Sequence, residues 1–255
     1  MANQGSTITA AVITLNEEKN IGACLACLGW ADELLVVDAH SADGTVPLAQ
    51  QTGARVVLRP FDTFARQRNF AIQQAQCDWV FFVDADERVE PALAQEVLRG
   101  VRGGPDSPDA PIGYWVPRRN IILGRWVRHA GWWPDYQLRL FRRSLARYDE
   151  RRDPHEVVQI DGPTGHLSHP LLHYNYSSFK ELLSRQAAYA QREASWLFSE
   201  GVRPYPHRYL TQPAKEFFRR YVQLEGYKDG PLGLMLALLM AWYRFQVYLD
   251  LRLVR

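Results

Sequence analysis

Asp84 and Asp86, two residues apart, close an unbroken apolar run, Trp79-Val80-Phe81-Phe82-Val83. In an extended chain, residues i and i+2 project to the same side, so both carboxylates can reach one point. Two such groups at the end of a buried strand repel each other and are costly to desolvate unless a cation lies between them. A hard divalent ion with oxygen ligands, Mg²⁺ or Mn²⁺, meets that demand and would bring a substrate phosphate with it. A plain polar turn, in which Asp is common, is the competing reading of the pair alone. Other chemistry-bearing side chains fall at equivalent places: Asn16-Glu17 after the β-rich run 7–14, and Asp38 after Leu34-Leu35-Val36-Val37.

The elements that must hold these groups alternate between strand and helix. Residues 7–14, 34–37, 55–58 and 79–83 read as strands. Helices are expected around Ile21, Leu25 and Leu28, over 46–51 behind the turn Ser41-Ala42-Asp43-Gly44-Thr45, over 64–76, and over 92–101 behind Pro91. This order predicts an α/β fold with a mostly parallel, doubly wound sheet, whose ligands lie beyond the carboxyl ends of the strands. Asn16, Asp38 and Asp84 all stand at such ends. A Gly-, Pro- and Asp-rich linker over 103–111 follows. Beyond it the pattern turns antiparallel, with a hairpin bending at Leu123-Gly124, an alternating strand leading to Arg142, and short strands near His155-Glu156 and His173. A long helix is expected over 178–200, a break over 204–213, and two closing helices. The division drawn from this is a catalytic region 1–176 and a C-terminal helical region 177–255.

Composition is that of a soluble globular protein of 255 residues, and its net charge of +2 gives no argument for nucleic acid. The basic excess is local: residues 201–255 hold nine Lys/Arg against four Asp/Glu. Three cysteines exclude a complete disulfide framework. Cys24-Leu25-Ala26-Cys27 has redox or zinc spacing, yet it lies within an apolar helical pattern and lacks a second ligand pair, which favours two small core residues. Nothing near residue 1 reads as an export signal, so the expectation is cytoplasmic.

Taken in order, Thr14-Leu15-Asn16-Glu17-Glu18, Val36-Val37-Asp38 with Ser41-Ala42-Asp43-Gly44-Thr45, and Asp84-Ala85-Asp86 resemble glycosyltransferase family 2, the nucleotide-sugar enzymes of GT-A type with a Rossmann-like sheet. Further likeness comes from Phe64-Ala65-Arg66-Gln67-Arg68-Asn69-Phe70-Ala71, from Trp133-Pro134-Asp135-Tyr136-Gln137-Leu138-Arg139-Leu140-Phe141 and from His155-Glu156. These look like the bacterial branch that glucosylates heptose in the lipopolysaccharide inner core. The chain departs from the usual pattern at Asp38-Ala39-His40, where a second acid and Gly are common.

The resemblance implies an inverting transfer of a sugar, glucose from UDP-glucose, to a lipopolysaccharide core acceptor. Another lipid-linked, capsule or exopolysaccharide acceptor is the alternative. Thr14, Asn16, Glu17 and Asp38 would then hold the base and ribose of the donor, with Arg68 and Asp84 at its phosphates. Asp84 and Asp86 would bind the Mg²⁺ or Mn²⁺, with His155 as a further ligand or a turn residue. An acceptor hydroxyl needs a base. Asp135 is the first choice because it falls in the aromatic acceptor-side loop, and Glu156 beside His155 is the second. Trp132 or Trp133 could offer a flat wall to a sugar ring, or serve as core. Gln137 and Arg139 complete the implied acceptor side.

Three rivals are weaker. A nucleotidyltransferase would carry a Gly-rich basic loop where Asn16-Glu17-Glu18-Lys19 stands, and a phosphatase with an Asp-x-Asp nucleophile would not continue as Glu87-Arg88. A non-catalytic membrane-associated nucleotide-binding protein would not need Asp38, Asp84 and Asp86 intact. In the tail, the apolar run 232–243 falls short of the about 20 residues that span a bilayer. With Phe217-Phe218-Arg219-Arg220, Lys228, Arg244, Arg252 and Arg255 around it, it suits a helix lying on the anionic inner leaflet, or else a packing helix. The expectation is thus a cytoplasmic enzyme peripheral on the inner membrane, of unassigned oligomeric state.

Overall fold

The computed structural model describes residues 5–102, 110–150, 158–176 and 178–254. The chain forms two compact units, one of residues 1–118 and 136–173, the other of residues 119–135 and 174–255. The expected boundary at 176/177 differs mainly in the segment 119–135, which folds with the C-terminal helices.

In the first unit the strand–helix alternation is realised as β1 (Ile8–Thr14), α1 (Ile21–Ala26), β2 (Glu33–Asp38), α2 (Thr45–Gln51), β3 (Arg55–Leu58), α3 (Phe64–Gln74), β4 (Trp79–Phe82), β5 (Glu87–Val89) and α4 (Pro91–Arg102). β6 (Gly113–Ile122), β7 (Arg125–Trp126), β8 (Asp135–Arg142), β9 (Ala146–Tyr148), β10 (Val158–Ile160), β11 (Thr164–His166) and β12 (Leu171–Tyr176) follow. The main sheet runs β3-β2-β1-β4-β8-β6-β12-β5. β3, β2, β1 and β4 are parallel, and β8 joins β4 antiparallel with Leu140 opposite Phe81.

Period-two alternation gives the sheet two apolar faces. Ile8, Ala10, Val12, Trp79 and Phe81 meet α1, α2 and α4 on one face, while Ala11, Leu35, Val37, Val80 and Phe82 meet α3 on the other. That double covering is why β1, β2 and β4 read as continuous apolar runs. Cys24 is part of the first face, and burial pushes both the Cys24 and Cys27 thiols up, in keeping with core residues. β8 departs from the expected alternation: Leu138, Arg139, Leu140 and Phe141 are all buried, because β8 lies between two strands inside the sheet.

In the second unit, β6 and β7 make a hairpin through Leu123 and Gly124, both at positive φ, the backbone a tight two-residue hairpin needs. Ile122 and Val127 from this hairpin pack with Tyr176, Leu182, Leu236 and Leu239. The helices are α5 (Phe179–Ser199), begun by Ser178 accepting from Glu181 N, α6 (Arg208–Phe218) and α7 (Gly230–Leu253). Pro213 lies within α6, so the expected break ends sooner, at His207. α7 is also longer than the apolar run suggested: with the preceding turn, Gly226–Leu253 is long and apolar enough by length and composition to cross a membrane. One face of it is packed, and on that side Glu193 of α5 accepts from the Arg244 guanidinium and the Tyr243 hydroxyl.

Candidate active site

The loops after β1 and β2 are tied together by polar side chains from both. Asp38 is fully buried, and its carboxylate accepts from Thr14 Oγ1 at 2.9 Å, Ser41 N at 2.8 Å and Ser41 Oγ at 2.6 Å. Ser41 Oγ accepts in turn from Asn16 N, and Asn16 Oδ1 from Ala42 N. Glu17 N donates to Thr45 Oγ1, while Glu17 Oε2 accepts from Asn20 Nδ2. Glu18 runs so close to Gly44 that a Cβ there would lie 2.9 Å from its carboxyl carbon. Asn16 and His40 both sit at positive φ, 56° and 62°. Asn tolerates this region, but His40 occupies a place where glycine is the unstrained choice. Thr14, Asn16, Glu17 and Asp38 are therefore brought together at the ends of two adjacent strands.

At the end of β4 the expected acids are met by arginines. Arg139 Nη1 donates to Asp84 Oδ1 at 3.2 Å, and its Nη2 reaches Asp84 Oδ2 and, at 3.1 Å, Glu87 Oε1. Arg68 Nη2 donates to Asp84 Oδ1 at 3.1 Å, and Arg118 Nη1 lies 3.7 Å from Glu87 Oε1. Glu87 Oε2 accepts from Asp84 N, closing the turn. Asp86 Oδ2 is 3.5 Å from His173 Nε2, whose strand places it opposite Glu87. Burial alone would raise the Asp84 pKa, but Arg139 and Arg68 overrule it and hold the carboxyl well below the usual range. Burial pushes Glu87 up, only partly offset by Arg139, and the Asp84 charge adds to the rise.

Arg68, expected at the donor's phosphates, is buried at the strand end, its guanidinium 5.3 Å from the Phe82 ring. One expectation changes here. Arg139, expected on the acceptor side, is 4% exposed and committed beneath Asp84 and Glu87, because β8 pairs directly with β4. Glu87, Arg118 and His173 were not assigned to the site from sequence. The run Asp84-Ala85-Asp86-Glu87 did carry a signal, since a third acid at a buried strand end needs cations from elsewhere.

A divalent ion of the Mg²⁺ kind is usually held by one or two carboxylates, with the rest from substrate phosphate and water. Asp84 and Asp86 are the carboxylates that would take that part; both Asp84 oxygens are engaged by Arg139 and Arg68, and His173 stands beside Asp86. Among the described residues no group of three or more His, Cys, Asp or Glu side chains forms a ready metal cage. His155 and Glu156 lie outside the described residues.

The remaining expected residues divide between the units. Gln137 belongs to the first, on β8. Trp132, Trp133 and Asp135 belong to the second, where Asn120 Nδ2 donates to Trp132 O at 2.9 Å and to Asp135 Oδ2 at 3.3 Å. Trp132, partly buried, packs against the Ile122–Leu236 cluster, and Trp133 meets Trp126 edge to face at 5.5 Å.

Residues 9–161 match the family model described as Glycosyl transferase family 2. The chain is 30% identical, over 93% of its length and 89% of the relative's, to the lipopolysaccharide core biosynthesis glycosyltransferase LpsC of Rhizobium meliloti (strain 1021). It is 25% identical, over 96% of its length and 86% of the relative's, to a glycosyltransferase of Rickettsia bellii (strain RML369-C). Among solved structures it is similar to glucosyl-3-phosphoglycerate synthase from Mycobacterium tuberculosis in complex with Mn²⁺, UDP and glucosyl-3-phosphoglycerate. That likeness has a TM-score of 0.49 and 19% identity, over 79% of this chain and 82% of the other.

Proposed function

The chain belongs to glycosyl transferase family 2, and from that premise we propose that it moves glucose from UDP-glucose to a lipid-linked saccharide of the lipopolysaccharide core, inverting the anomeric centre. The observation that carries the reading is the gathering of Asn16, Asp38 and Asp84-Asp86 at the carboxyl ends of adjacent strands β2, β1 and β4. That is where an open α/β sheet receives a nucleotide. Support for the acceptor class comes from the likeness to LpsC along most of both chains.

In this reading the polar loops at Thr14, Asn16, Glu17 and Asp38 receive the uracil and ribose. Arg68, fixed by its contact with Asp84, orients the donor's phosphates. Asp84 and Asp86 hold the divalent ion, which when bound supplies Lewis-acid stabilisation of the leaving diphosphate. Asp135 takes the proton of the acceptor hydroxyl as its oxygen bonds to the anomeric carbon and the bond to the diphosphate breaks, with Glu156 as the alternative base. The displacement is a single step, so no sugar is attached to the protein.

The enzyme works at the cytoplasmic face as a peripheral membrane protein, with the helical region 177–255 as its membrane-associating part. What supports this is an exposed apolar stripe on α7, Leu234, Leu238, Trp242, Phe245 and Leu253, at helical spacing. On α6 Leu210, 78% exposed, and Phe218 continue the theme, with Lys215 in its last turn and Arg219 just past its end. That is the arrangement of a helix lying in a headgroup layer.

The test is a donor panel of nucleotide sugars with Mn²⁺ and Mg²⁺, run on the full chain and on Asp86→Ala. UDP-glucose turnover that needs the metal and is lost in Asp86→Ala with an unchanged melting temperature is expected. Wild-type transfer after exhaustive chelation, or by Asp86→Ala, would remove the metal role; turnover of another donor alone would remove glucose.

A further inference from the structure

A shallow pocket in the second unit, about 380 Å³ in volume, is walled by Arg125, Trp126 and Arg128 of the β6–β7 hairpin and by Lys228, Gly230 and Leu232 at the start of α7. Its charge is unbalanced. Among the described residues neither the Arg125 nor the Arg128 guanidinium has an acidic partner. Asp229 is the carboxylate in the wall, and it is spent elsewhere: its oxygens accept from Arg128 N and His129 N and contact His129 Nδ1. Lys228 pairs with Glu225 at 2.7 Å.

Two guanidiniums are also held on one indole. Arg128 lies 4.1 Å and Arg119 4.6 Å from the Trp126 ring centre. Cation–π attraction anchors each. Behind the Trp126 ring, Arg119 Nε and Trp126 Nε1 are buried without an acceptor. Because Asp229 faces the hairpin, its side chain does not cap α7, and the first turn of α7 holds no acidic residue. The positive end of a long helix dipole is thus added to the same wall.

We propose that this pocket binds an anionic group, phosphate or carboxylate, carried by the acceptor saccharide. The inference rests on the glycosyltransferase reading for the word acceptor. The link is local: Trp133, in the aromatic segment expected to face the acceptor sugar, touches the edge of Trp126, the ring that carries both arginines. A planar guanidinium fork beside an aromatic ring suits an oxyanion on a sugar, where the fork takes the charge and the ring the carbon face.

The experiment titrates the full chain, by calorimetry, with glucose 6-phosphate, glucuronate and neutral glucose, and compares it with Arg125→Gln/Arg128→Gln. Both side chains are exposed, so the variant should keep its melting temperature. Binding of the two anionic sugars and not of glucose, weakened about 10-fold or more in the variant, is expected from the loss of charge-assisted hydrogen bonds. In steady-state assays with a lipid-linked core acceptor, KM for that acceptor should rise by a similar factor while kcat changes much less. Equal binding of anionic sugars by both proteins overturns the proposal. So does a loss confined to vesicles of anionic phospholipid, which makes the pocket a headgroup site. The titration needs no turnover, so failure of the transferase reading, seen as absence of any donor turnover, stays separate from failure of the pocket.

Discussion

Replacing Arg139 by methionine removes the cation on which two buried acids depend while keeping a long side chain to fill the space. In the wild type its guanidinium grips both oxygens of Asp84 and reaches Glu87 Oε1 at 3.1 Å, and Glu87 is fully buried. What remains is Arg68 at 3.1 Å from Asp84 and Arg118 at 3.7 Å from Glu87. Removing one partner of a buried ion pair costs about 3–5 kcal/mol. The two surviving contacts, and the 29% exposure of the Asp84 side chain, place this case near about 3 kcal/mol on that scale. The sign with pH follows from the shifts. Asp84 has a lowered pKa, so its contribution is complete above the ordinary carboxylate range and lost as pH falls through the folded value. Glu87 has a raised pKa, so its burden is relieved on protonation as pH falls. Without Arg139 both acids shift upward and protonate sooner. Urea unfolding of wild type and Arg139→Met at pH 7 and pH 5 should show a large deficit that shrinks at the lower pH. A deficit under about 1 kcal/mol at pH 7, the level of an exposed pair, or one that grows on acidification would refute the reasoning.

Asp135→Asn keeps the shape of the candidate base and removes its basicity. Its kcat should fall about 100-fold or more with donor affinity little changed, while Glu156→Gln is milder; the reverse ranking in steady-state kinetics moves the base to Glu156. Exchanging Leu238, Trp242 and Phe245 for serine should abolish co-sedimentation with anionic liposomes at an unaltered melting temperature, and undiminished binding would leave α7 as a packing helix alone. His40→Gly should be neutral or slightly stabilising, while His40→Val should lower stability by about 1–2 kcal/mol, because a β-branched residue resists positive φ. Thermal melts of both variants decide this.

The sheet was legible because β1, β2 and β4 are covered on both faces and so write themselves as apolar runs with acids at their ends. For the same reason Asn16, Asp38 and Asp84 fall at matching strand ends in the sequence pattern alone. Arg139 could not. Its neighbours Leu138 and Leu140 suggested an alternating strand with one wet face, and only the pairing of β8 with β4, a contact distant in sequence, shows that the charged residue points into buried carboxylates. The unusual His40 was visible as a missing glycine, but its backbone angle was not. The length of α7 was underestimated because Arg244 looked like an interruption, whereas Glu193 from another helix neutralises it.

The second unit is not a tail. Its hairpin segment 119–135 is made midway through synthesis, yet Ile122 and Val127 find their packing partners Leu182, Leu236 and Leu239 only in the last third of the chain. A ribosome therefore delivers these apolar side chains well before anything exists to cover them, an interval in which exposed hydrophobic surface invites misassembly. A protein shortened after residue 176, or after Gly201, would never leave that interval.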